Sequence, residues 1–254
     1  MAHSTGSQAT QTSCTSDTGR AGKNYCRIIV TSQLPCVVSR ERIADMCYRY
    51  FMEESPELRP FVEAARHSAL GRRMVSQLGR PLVTSGEVRP TDIAVVSAPN
   101  QHGQRTVFPM VWGFSGRSSL LFNARVETAG QKPTFRESWE RRRCIVPASW
   151  YYEWEHFQSP DGKKKTGDRY TIQPQGETIT LLAGLYRMEE KDGMLIPHFT
   201  ILTREAAEEI LFIHDRMPVI LNARDAAAWI DPKTDPATVK TIAGRARTDM
   251  IFTK

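Results

Sequence analysis

At 254 residues, 40% of them hydrophobic, the chain is long enough to bury a core, and a single domain of about 200 residues is the expected organisation. No apolar run approaches the ~18 residues a membrane helix needs, and the N-terminal stretch lacks an apolar centre of the secretory kind; a membrane-spanning helix is excluded and a cytoplasmic protein expected. The formal charge is +6; residues 1–45 hold five Lys/Arg and three Asp/Glu, which leaves 29 against 25, or +4, for residues 46–254, an excess that permits a polyanionic partner without requiring one. The five cysteines are odd in number and none forms a CxxC pair, so neither a disulfide framework nor a zinc ribbon is indicated, and no metal or cofactor is expected.

Residues 1–45 open on a Ser/Thr/Gln/Gly stretch and sustain no helical or alternating period, as a disordered tail would. A second reading is that they are not translated. Glu41-Arg42 can be encoded by GAGAGG, a purine run resembling a ribosome-binding site, three codons before Met46. From Met46 onward the pattern is that of a folded domain, 46–254. The spacing of Leu58, Phe61, Ala65, Leu70 and Met74 predicts a helix within 57–79, weakened by Pro60 and Gly71. Ile93–Ala98 and Val107–Phe114 read as strands. Thr134 and Glu137 read as a capping box opening a helix over Phe135–Arg143. Strand-like runs follow at Cys144–Trp154, Arg169–Gln173, Thr178–Arg187 and Phe199–Thr203, with a turn at Asp161-Gly162. Glu205–Phe212 and Ala223–Ile230 read as helices on either side of a buried strand, Met217–Leu221. Strands outnumber helices and do not alternate with them. The expected class is therefore α+β: a single domain with a mostly antiparallel, curved, barrel-like sheet and flanking helices.

Four residues carry candidate chemistry. Cys47 follows a methionine where folded sequence begins. Removal of Met46 would leave an α-amine (reference pKa about 7.7–8.0) and a thiol (about 8.5) two carbons apart, a pair able to close on an aldehyde as a thiazolidine. A buried apolar cysteine is the ordinary alternative. Asn123 follows Leu120-Leu121-Phe122 and is either a strand cap or a hydrogen-bonding site residue. Glu153 sits among Trp150, Tyr151, Tyr152 and Trp154. Alternation gives it a solvent face, whereas an aromatic cleft would raise its pKa toward acid–base use. His214, before Asp215-Arg216-Met217-Pro218, is a loop hydrogen-bonder or a catalyst.

Together, Met46-Cys47-x-Arg49, Trp112-Gly113-Phe114, Asn123-Ala124-Arg125-x-Glu127-Thr128, Pro147-Ala148-x-x-Tyr151-Tyr152-Glu153-Trp154 and His214-Asp215-Arg216-Met217-Pro218 stand in an order and spacing that resembles the SOS-response-associated peptidase (SRAP) family from Met46 to near the C-terminus. The resemblance implies a sensor of abasic sites in single-stranded DNA, crosslinked to the lesion through N-terminal Cys47. It implies that Asn123 positions the terminus, Glu153 shuttles protons, and His214 assists sugar-ring opening. It further implies self-cleavage ahead of the cysteine and a weak lyase side reaction. Arg49, Arg125, Thr203 and Arg216 match phosphate-holding positions, and Trp112 is either a base wedge or core. The expected partner is abasic single-stranded DNA, bound by a monomer that is nucleoid-associated when engaged. Tyr48 departs from the family's glycine, and either crowds the DNA or stacks on a base. Two rivals differ in class: a Cys47/His214 amide hydrolase, and a non-catalytic single-strand-binding module.

Overall fold

The computed structural model describes residues 48–254, all within one unit. The N-terminal extension and Cys47 lie outside the described residues. In chain order the elements are β1 (Arg49–Met52), α1 (Arg59–Arg66), α2 (Ala69–Leu78), β2 (Gly86–Val88), β3 (Ile93–Pro99), β4 (Arg105–Trp112), β5 (Phe114–Ser115), β6 (Leu120–Leu121) and β7 (Asn123–Arg125). Then come α3 (Val126–Ala129), α4 (Pro133–Arg141), β8 (Arg143–Ala148), β9 (Trp150–Gln158), β10 (Lys164–Pro174), β11 (Thr180–Lys191), β12 (Met194–Glu205), β13 (Arg216–Pro218), α5 (Ala226–Ile230), α6 (Pro236–Gly244) and β14 (Met250–Thr253).

Pairing closes five strands into a ring. β8, β3 and β4 run between β11 and β12, and β11 and β12 pair directly with each other. The pairing of β4 with β12 is parallel; the other ring pairings are antiparallel. A second sheet, β14-β10-β9-β1-β2, is antiparallel throughout. The class is thus the α+β, mostly antiparallel, barrel-like arrangement read from the sequence. Tyr50, Met52, Tyr151 and Ile172 of the second sheet share one core with Val96, Met110, Trp112, Val146 and Phe199 of the ring. A second cluster sets α4, α5 and α6 against the ring's other side through Trp139, Trp229 and Ile242.

Several expectations change in detail. The stretch 57–79 is two helices. Pro60 stands in the first turn of α1, where its missing N–H breaks no helical bond, and the Ser68 hydroxyl accepts from Gly71 N to start α2 afresh. Thr134 does not cap α4. The cap is Lys132, without a side-chain bond, because Pro133 takes the first helical position and draws Thr134 into the helix. The run 144–154 splits at Ser149 into β8 and β9, which belong to different sheets. Ser149 joins them to β1 by donating N–H to Phe51 O at 2.8 Å and accepting from Glu53 N at 2.8 Å. Residues 205–212 are not an α-helix. The Glu205↔Arg216 pairing carries β12 through Glu205, leaving only a single 3₁₀ turn at Glu208–Ile210. Val107–Phe114 breaks at Gly113, whose φ of 113° ends β4 and sends Phe114 to pair with Leu121.

A buried arginine ties the helical layer to the ring. Arg143, 1% exposed, donates to Trp139 O (2.7 Å), Glu140 O (2.8 Å), Trp229 O (2.6 Å) and Asp231 O (2.5 Å). These carbonyls lie at the C-terminal ends of α4 and α5, where the helix leaves acceptors unpaired. Arg143→Met is expected to cost about 3 kcal/mol by leaving them buried and unsatisfied. Urea denaturation checks this, a midpoint unchanged from wild type being the contrary result.

Candidate functional site

The antiparallel register Arg49↔Tyr152, Tyr50↔Tyr151, Phe51↔Trp150 fixes which face each β9 side chain takes. Tyr151 and Glu153 turn inward, Tyr152 and Trp154 outward. Glu153 is 2% exposed, so the solvent face that simple alternation allowed for it is not the one it occupies. Burial pushes its carboxyl up to about 8; the Trp154 N–H, donating to Oε1 at 3.2 Å, opposes this, and the nearby Asp215 charge adds to it. Oε2 is buried and has no hydrogen-bond partner among the described residues. Glu153 is therefore a neutral acid at neutral pH, with a proton to give. Tyr48, the first described residue, lies with its ring 4.9 Å from that of Trp154 at an interplanar angle of 11°.

His214 approaches the same region. His156 on β9 donates its N–H to Ile213 O at 2.9 Å, and the two imidazole rings lie 4.8 Å apart. The Arg216 N–H donates to His214 Nδ1 at 2.9 Å, so in the neutral ring Nε2 carries the proton. Asp215 Oδ1 stands 3.1 Å from the same Nδ1. The two contacts exclude one another by proton count: Nδ1 accepts from Arg216 when the ring is neutral and donates to Asp215 when it is charged. A cleft of about 240 Å³ opens here, lined by His156, Lys164, Leu211, His214 and Asp215. A larger cavity of about 540 Å³, lined by Glu127, Trp139, Arg204 and Lys240, includes none of Asn123, Glu153 or His214.

Asn123 begins β7, is 7% exposed, and pairs in parallel with Ile201 of β12. Thr203 of β12 is matched with Arg125 on one side and Pro218 on the other, so β7 and β13 flank one strand and hang Asn123 and His214 from it. The Trp112 indole donates to Phe122 O at 2.8 Å and its ring lies 5.2 Å from that of Tyr50, which links the residue before Asn123 to β1. The charge of Asp215 felt by Glu153 puts the His214–Asp215 segment near that carboxyl, and Trp112 links the residue before Asn123 to β1.

The sequence profile described as SOS response associated peptidase (SRAP) matches residues 46–253. The chain belongs to the SRAP family. The abasic site processing protein YobE of Bacillus subtilis is 38% identical over 124 residues, covering 48% of this chain and 54% of that protein. The abasic site processing protein YedK of Escherichia coli is 29% identical over 164 residues, 60% of this chain and 65% of that protein. The chain spans about half the length of the Bacillus relatives it matches. A solved protein from Bacteroides thetaiotaomicron superimposes with a TM-score of 0.61 at 24% identity over 81% of this chain and 90% of that one; a phage-related protein from Bordetella bronchiseptica gives 0.58 at 23% over 82% and 93%. These two show the fold.

Two expected contacts of this SRAP domain are corrected. Trp112 is fully enclosed, stacked 5.9 Å from Phe199, and serves as core rather than as a base wedge. Thr203 is also fully buried, its carbonyl accepting from Arg216 Nη2 at 2.9 Å. Arg216 is 8% exposed and gripped by both Glu127 oxygens, Nη1 at 2.8 Å and Nη2 at 2.9 Å, while its buried Nε has no partner among the described residues. Arg49 lies 3.0 Å from Glu87, and Arg125 is exposed. The roles of Glu127 and Glu87 went unread in the sequence; only Glu127, inside the Asn-Ala-Arg-x-Glu-Thr block, carried a signal.

The sign of Glu153's effect on stability follows from its raised pKa. Folding favours the protonated form, so its contribution is intact below about 4.5 and is lost as pH rises through about 8. Glu153→Gln keeps the shape and removes the ionisation. Its stability advantage over wild type is expected to grow across that window, reaching on the order of 1 to 3 kcal/mol at its alkaline end. A pH-independent difference in thermal melts would contradict this.

Proposed function

We propose that this protein captures abasic sites in single-stranded DNA by forming a thiazolidine between Cys47 and the C1′ aldehyde of the opened deoxyribose. The observation that carries the reading is the neutral, buried Glu153 on the strand paired with β1, the strand that begins two residues after Cys47. The names of the relatives, abasic site processing proteins, support the choice of lesion. Cys47 must be N-terminal for this chemistry, by removal of Met46 or by self-cleavage of what precedes it.

The α-amine attacks C1′ to give a carbinolamine. Glu153 donates its proton to the departing hydroxyl, which leaves as water, and takes back the N–H proton as the imine forms. The thiol sulfur then adds to the imine carbon, its proton passing to nitrogen, so the whole reaction releases one water. His214, with its proton on Nε2, hydrogen-bonds the sugar ring oxygen as the ring opens and that oxygen gains the proton lost by the C1′ hydroxyl. Asn123 hydrogen-bonds the amine and its intermediates. Arg49, Arg125 and Arg216 supply planar donors for flanking phosphates, Arg216 through its unoccupied Nε or by release from Glu127. The imine also permits β-elimination, a weak lyase activity.

A crosslink that survives denaturing electrophoresis is expected with an abasic single-stranded oligonucleotide and is expected to vanish in Cys47→Ala. The rate should rise with pH as the amine loses its proton, near pH 7.7–8.0, and fall as Glu153 ionises through about 8. In Glu153→Gln the falling limb should disappear and the rate drop about 100-fold. Equal yield from Cys47→Ala, or an unaltered profile in Glu153→Gln, would overturn the mechanism.

A further inference from the structure

The face of the second sheet that points away from the core is not the polar surface that alternation leads one to expect. The pairings Arg49↔Tyr152, Phe51↔Trp150, Phe51↔Glu87, Arg169↔Trp154 and Thr171↔Tyr152 put all of these side chains on that one face. The aromatic rings form a continuous set. Phe51 stacks on Trp150 at 4.6 Å with an angle of 2° and meets Tyr152 edge-on at 6.4 Å. Beyond Tyr152, the Trp154 ring is stacked by Tyr48. Phe51, Trp150 and Trp154 remain half-buried rather than enclosed.

Arginines are interleaved with the rings. The Arg169 guanidinium lies 4.6 Å above the Tyr152 ring, and that of Arg49 lies 5.3 Å from Tyr48 and 5.4 Å from Trp154. Arg49, Arg89 and Arg169 converge on one carboxylate, Glu87, at 3.0, 2.6 and 3.5 Å. Asp92 also lies near Arg89, so the guanidiniums of this cluster outnumber its carboxylates beside the rings. The Arg169 side chain is 51% exposed and that of Arg89 59%, so both can turn to a new partner.

We propose that this face is a stacking platform for single-stranded DNA: unpaired bases lie on Phe51 and Trp150 while Arg169 and Arg89 take the phosphates. The inference rests on the reading of the protein as a single-strand binder, and it extends the strand's path along β9, away from Glu153 and across the outer face. A chain of unstacked bases with a phosphate at every step matches alternating rings and guanidiniums. An apolar protein surface would leave the arginine charge unmet, and an acidic one would leave the aromatic faces without flat rings to stack on.

The test uses undamaged oligothymidylates, so that its outcome is independent of any crosslink. Fluorescence titration compares the protein with Trp150→Ala and Arg169→Ala against oligomers of about 4 and about 16 nucleotides. The wild type is expected to bind the longer oligomer about tenfold more tightly, with quenching of tryptophan emission, and each substitution to abolish that length advantage. Arg169→Ala removes an exposed side chain, and keeps the test readable should Trp150→Ala fold poorly. Retention of the length advantage in Arg169→Ala, or its loss there with full retention in a folded Trp150→Ala, would overturn the platform; the second pattern would leave phosphate contact alone. Failure of the abasic crosslink with an intact length advantage would strike the proposed chemistry and leave the platform standing.

Discussion

Everything at the candidate site depends on the register of β1 against β9. The pairing of Tyr50 with Tyr151 seats both rings in the core, and the two-residue period then settles every neighbour. Glu153 follows Tyr151 inward and loses water; Tyr152 and Trp154 turn out with Arg49. A slip of one residue would send Glu153 to solvent and bring the outer aromatic set inside. The carboxyl's high pKa is thus a consequence of strand pairing. It is sustained by the large apolar contribution of the tyrosines, which a single buried carboxyl does not outweigh.

The ring makes an equally specific demand. β12 carries β7 on one side and β13 on the other, so one strand sets the positions of Asn123 and His214 together. Arg216 connects the two flanks: its side chain reaches Glu127 just beyond β7, and its backbone N–H holds His214 Nδ1. The Arg216 charge is held by two carboxylate oxygens and one carbonyl, with its buried Nε left over. In the neutral ring the Arg216 backbone N–H puts the imidazole proton on Nε2.

Much of this was legible in the sequence, for identifiable reasons. β3 reads as a continuous apolar run because all its residues are buried. Ring closure was not legible, since the pairing of β11 with both β8 and β12 is a long-range choice that no local window records. The expectation that Glu153 and His214 serve one site came from motif order, not from any local pattern. The face Glu153 takes was the uncertain point, because aromatic neighbours on both sides erase the polar–apolar alternation. Trp112 and Thr203 look like contact residues in one dimension and prove to be core, where motif residues often serve by holding others in place. Tyr48, a departure from the family glycine, lies against Trp154.

The central claim is a chemical one about residue 47, which the described residues approach but do not include. Intact mass spectrometry of the purified protein, before and after incubation with an abasic single-stranded oligonucleotide, addresses it in one measurement. The expected result is a chain beginning at Cys47 that gains the mass of the oligonucleotide less one water. A chain beginning at Cys47 whose mass stays unchanged, or an adduct on protein that still carries residues ahead of Cys47, would contradict the account.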